Sequence, residues 1–92
     1  MADNEIVRAG HAREVLDSAI FKEAAQAVRS GIDAHMLRVP VADQTMHTRL
    51  ILLRQCWDQL ERYLDQVRQT GEIKAFELQQ EEQRKRMFGL FG

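Results

Sequence analysis

Apolar residues recur along this chain at intervals of three and four, the spacing that lines one face of an α-helix. The run is clearest at Met46, Leu50, Leu53, Trp57, Leu60, Leu64 and Val67, where steps of four and three alternate without interruption. That is an a/d pattern sustained over about three heptads. Ile51 and Tyr63 widen the stripe on its flanks. Asp43 stands where an N-cap is needed, and Gly71 where a helix commonly ends on a glycine. The spacing therefore predicts a long helix over 43–70.

Ahead of it, Phe21, Ala24, Ala25, Val28, Ile32 and Met36 form a second apolar face and predict a helix over 18–38. Ser18 is its candidate N-cap, with Asp17 as the alternative. Pro40 closes it and pushes Val39 toward an extended conformation. A shorter helix is predicted over 4–16, capped by Asn4, with Val7, Val15 and Leu16 as its larger apolar residues and Gly10 weakening its middle. The first two segments can equally be one helix broken near Asp17. Beyond Gly71 the pattern loosens. Ile73, Phe76 and Leu78 are irregularly spaced, residues 79–86 (QQEEQRKR) are wholly polar, and the chain ends MFGLFG. The polar run reads as a solvated helix.

The fold expected is all-α: an antiparallel helical hairpin with a long heptad-patterned second arm, a short N-terminal helix and a C-terminal helical tail. Residues 1–78 form the helical core domain. Residues 79–92 form a charged spacer and an apolar docking tail. With 92 residues the core must be thin, and a thin core stabilises a chain only marginally. Assembly with itself or with another protein would relieve that shortage. The heptad seam (Met46, Leu50, Leu53, Trp57, Leu60, Leu64 and Val67) thus has two readings. It packs within the hairpin, or it meets a second copy or a partner. Trp57 is large for a two-helix seam and fits a third helix or a subunit contact better.

The tail has two readings as well. Met87, Phe88, Leu90 and Phe91 stand behind a charged spacer, where exposure of so much apolar area is costly. They fold back over the core or serve as partner-binding anchors. Arg84, Lys85 and Arg86 are candidates for phosphate contact, although Glu81 and Glu82 precede them. Thirteen basic residues are interspersed with fourteen acidic ones. A protein that grips duplex DNA carries a basic face, so nucleic acid is not the expected partner.

Little in the sequence points to catalysis. His11, His35 and His47 show no HxxxH or HExxH spacing, and one cysteine cannot complete a zinc set with them. Cys56 has no histidine one turn away and reads as a buried small hydrophobe. No cofactor, metal or catalytic residue is expected, and the chain reads as a non-enzyme. A lone cysteine suits a reducing compartment. The N-terminal residues show no signal peptide, and the longest apolar run, 50–53, is far too short to span a bilayer.

The stretch 16–74 resembles a group of small helical proteins of tailed bacteriophages. The resemblance lies in LDSAIFKEA opening a helix, in VPVADQTMHTR with its proline, acidic cap and arginine, and in DQVRQTGEI closing the long helix. Leu16, Phe21, Pro40, Asp43, Arg49, Leu60, Leu64, Gly71 and Glu72 carry it. Such proteins are encoded near virion or packaging genes and have no assigned activity. The resemblance implies a virion-associated or assembly role and origin in the host cytoplasm, and with the seam it leads to the expectation of a homo-oligomer or larger viral assembly. It implies no catalytic residue. The expected function is therefore that of a structural protein that binds other protein through its tail. The alternatives are a small phage regulator that inhibits a host protein and a DNA-packaging accessory protein.

Overall fold

A computed structural model describes the backbone of residues 2–91 and the side chains of residues 4–89. It contains three helices, α1 (Ala2–Asp17), α2 (Ala19–Arg38) and α3 (Gln44–Phe91), and no strand among the described residues. The all-α hairpin expected from the heptad spacing is the architecture observed.

One residue separates α1 from α2. Ser18 is extended, with φ −61° and ψ 127°, and its Oγ accepts a hydrogen bond from the Phe21 amide at 3.4 Å. Its own amide donates to the Val15 carbonyl at 3.2 Å. Ser18 therefore closes one helix and caps the next. At the far end Val39 is extended, as its place before Pro40 requires. Asp43 caps α3, its carboxylate accepting from the Met46 amide at 3.1 Å. His47 Nε2 lies 3.2 Å from the carbonyl oxygens of both Val39 and Pro40 and ties the turn to the first turn of α3.

Two boundaries differ from the expectation. α1 begins at Ala2, so Asn4 lies inside the helix and does not cap it. The second difference is the larger: α3 continues through Gly71 to Phe91. A glycine that ends a helix takes a left-handed conformation, and no described glycine has positive φ. Gly71 is buried, and it lets α1 approach. A methyl group built on it would overlap the Ala9 methyl and lie 2.5 Å from the Glu5 carbonyl oxygen.

That contact sets the packing. Ala9 and Ala12 on α1 are buried against α3, each 4% exposed. With only methyl groups and a hydrogen between them, the α1 and α3 backbones come closer than those of α2 and α3. The α2–α3 half is held apart by larger groups. Ile32 and Leu50 are buried there, and the rings of Phe21 and Trp57 stack with centroids 6.3 Å apart. α1 and α2 therefore run in succession along one α3. The 48 residues of α3 span about 72 Å at 1.5 Å per residue, matching the longest dimension of 75 Å. The radius of gyration is 21.0 Å, against about 12 Å for a compact chain of this length. No helix among the described residues is long and apolar enough to cross a membrane.

Candidate protein-binding surfaces

The heptad stripe on α3 divides into two rows. Leu50, Trp57 and Leu64, seven residues apart and in line with Gly71, face α2 and α1 and are buried or half-buried. The second row is Met46, Leu53, Leu60 and Val67. Met46 and Val67 are half-buried, but Leu53 is 53% and Leu60 47% exposed. The hairpin therefore occupies only half of the seam.

Charge explains which half is left. The ion pairs that join different helices are Arg13–Glu72, Arg29–Glu61 and Arg54–Asp33. On α3 their residues 54, 61 and 72 lie on one side of the Leu50–Trp57–Leu64 row. Arg54 also approaches Asp58, and Arg68 bridges Asp65 and Glu72. One edge of the hairpin is thus laced with charge pairs. The opposite edge carries Leu53, Cys56, Leu60 and Tyr63 from α3, Val28 from α2 and Val15 from α1. Its polar tie between helices is Arg8 donating to the Tyr63 hydroxyl at 3.3 Å. A shallow groove between Val15, Tyr63, Leu64 and Val67 continues this edge onto α1.

Glu72 is the hinge of the charged edge. The Arg13 guanidinium, and after it Arg68, hold its carboxyl below the ordinary value of 4.5, against the opposing effect of desolvation. In turn Asp65 and then Glu72 hold the Arg68 guanidinium above its ordinary range. A carboxylate with a lowered folded value adds stability that is complete above its unfolded value and is lost as pH falls through the folded one. Glu72→Gln is therefore expected to flatten the loss of thermal stability below about pH 4.5 and to lower stability at neutral pH. Melting temperature against pH for both proteins checks this. Parallel curves would show that Glu72 does not couple α1 to α3.

The other candidate surface is the end of α3. Residues 79–89 are all exposed, because α1 does not extend beside them. Met87 is 57% and Phe88 76% exposed, so neither folds back over the hairpin. The side chains of Leu90 and Phe91 lie outside the described residues. Arg84, Lys85 and Arg86 are exposed on this free helix, within a turn of Glu81 and Glu82.

Cys56 is exposed on the apolar edge and not buried as expected, because α2 lies beside the Leu50–Trp57 row, and His11 and His35 are exposed on α1 and α2. Among the described residues no three histidine, cysteine or acidic side chains converge as metal ligands would. The charged edge went unrecognised in the sequence, although Arg54, Glu61 and Arg68 repeat every seven residues beside the seam. The Ala9–Ala12–Gly71 contact left only the three-residue spacing of two alanines as a signal. No protein-family model, curated protein or solved structure matches the chain.

Proposed function

We propose that this chain is a non-enzymatic, protein-binding assembly component, of a bacteriophage virion, which attaches through the apolar end of α3. The observation that carries the reading is the projection of α3 beyond α1, with Met87 and Phe88 exposed at its end. The hairpin supplies a rigid base and the charged run 79–86 supplies reach. A helix that offers aromatic residues from such a base suits docking into an apolar groove. Aromatic anchors of this kind dominate binding energy where they are fully desolvated. The virion assignment draws on the resemblance over 16–74 to small helical phage proteins.

The test uses purified particles of the phage that encodes the chain. Full-length protein is expected to be a constituent of those particles and to rebind particles lacking it. Phe88→Asp and a chain ending at Arg86 are expected to rebind at least about 30-fold more weakly, the loss of an anchor worth about 2 kcal/mol. Absence from the particles, or equal rebinding by all three proteins, would sink the reading. Specific binding to a host protein in place of the particle would make the chain a host-directed regulator.

A further inference from the structure

We propose that the apolar edge is a homodimer interface, in which two copies pack α3 against α3, antiparallel, about a two-fold axis beside Cys56. The inference rests on the assembly reading above and supplies its architecture.

The exposed area calls for a partner. The chain exposes 7450 Å², whereas a compact monomer of its mass exposes about 5,500 Å². The surplus of roughly 2,000 Å² exceeds the ~800 Å² that each partner of a standard interface buries. The projecting end of α3 contributes polar area to that surplus. The edge contributes apolar area, with Leu53, Leu60 and Tyr63 each about half exposed.

The register of the exposed row selects a second α3. Met46, Leu53, Leu60 and Val67 repeat every seven residues, and such a row stays in contact over several turns only with another helix that supercoils in the same way. α3 is itself such a helix. The midpoint of Leu53 and Leu60 is also the midpoint of Met46 and Val67, next to Cys56. Turning a second copy end for end about that point sets Leu53 against Leu60 and Met46 against Val67, and the row meets itself. This is the self-complementarity that a two-fold interface requires.

Charge decides the direction. The acidic residues of α3 in this stretch, Asp58, Glu61 and Asp65, lie toward the ion-paired edge. The row's own cationic neighbour is Arg49. A parallel pair would set Arg49 against Arg49, with no carboxylate of α3 on that edge to neutralise them. The antiparallel pair separates them and places each near Leu64 and Tyr63 of the other copy, where Arg8 holds the Tyr63 hydroxyl and Glu5 lines the same groove to balance the two arginines.

The geometry has a consequence for assembly. Phe88 lies about 32 residues from the axis, roughly 47 Å along α3. The two tails of a dimer then point in opposite directions with their Phe88 residues about 95 Å apart. Such a dimer is a two-ended rod that joins two binding sites, and each weak tail contact gains from the other.

Light scattering of the full chain over a concentration series is expected to give twice the chain mass of 10.7 kDa. Leu53→Glu with Leu60→Glu is expected to raise the dimer dissociation constant at least about 100-fold, because each charge would be buried unpaired. Helicity by circular dichroism should be unchanged, since both leucines are half exposed within the protomer. The chain ending at Arg86 should stay dimeric. Mild copper–phenanthroline oxidation should link the wild-type dimer through Cys56, and Cys56→Ser should abolish the link. A monomer at every concentration overturns the proposal, as does a dimer indifferent to the double substitution or one lost on truncation at Arg86. A monomer that still rebinds particles through Phe88 would overturn the dimer and leave tail docking standing. A dimer that fails to bind particles would do the reverse.

Discussion

Gly71→Ala is expected to destabilise the protein by about 1–2 kcal/mol, while Gly10→Ala and Gly31→Ala each stabilise it by about 0.5–1 kcal/mol. The chemistry of the three substitutions is the same. Each adds a methyl group inside a helix at negative φ, and each removes the backbone entropy that glycine loses on folding. At Gly10 and Gly31 nothing lies within 4 Å of the added methyl, so the entropic gain stands alone. At Gly71 the methyl meets Ala9 and the Glu5 carbonyl. Neither neighbour can swing aside, one being a Cβ and the other main chain, so α1 must move away from α3. Overpacking of this kind costs about 1–3 kcal/mol, more than the helix propensity returns. For a chain of this size 1 kcal/mol moves the melting temperature by about 4–8 °C. Thermal melts at one fixed protein concentration would show one fall and two rises. A rise at all three positions would mean that α1 does not rest on residue 71. Gly71→Leu extends the test: amide exchange along α1 should lose its protection while that of residues 44–60 is kept.

The same residue shows where sequence reasoning stopped. A helix-ending glycine and a glycine inside a helix contact carry the same letter. What separates them is φ and a neighbour's backbone, and that neighbour, Ala9, is 62 residues away in the chain. A local clue lay on the C-terminal side of Gly71. From Glu72 to Phe88 there is no proline or glycine, and QQEEQRKR is composed of helix formers, so nothing after Gly71 stops the helix. The hairpin was legible because its signals are local. Ser18 and Asp43 cap with their own side chains, and Pro40 constrains its own neighbour. The seam was legible as a stripe but not as two rows. Leu50 and Leu53 differ in no property of the sequence, and only the placement of α2 beside the Leu50 row leaves Leu53 half exposed. The tail was legible as apolar, and whether it folded back depended on how far α1 reaches along α3.

Trp57→Ala is expected to cost about 3 kcal/mol and to bring the chain close to unfolding. Truncating a buried tryptophan costs about 3–5 kcal/mol, and half-burial places Trp57 at the lower end. The loss also removes the stack on Phe21, worth about 0.5–1.5 kcal/mol beyond area. Against it stands a total stability that, at about 0.05–0.15 kcal/mol per residue, reaches only ~5–14 kcal/mol for a chain of this length. The low end applies here, because no large side chain is fully buried among the described residues. Trp57→Phe separates the ring from its polar atom. The indole Nε1 is buried with no acceptor, and an unsatisfied buried donor costs about 1–3 kcal/mol. Phenylalanine keeps a ring for Phe21 and removes that donor, so the variant should lose less than about 1 kcal/mol. Urea denaturation monitored by circular dichroism measures all three proteins on one scale. Equal damage from Trp57→Phe and Trp57→Ala would show that the indole N–H has a partner in solution.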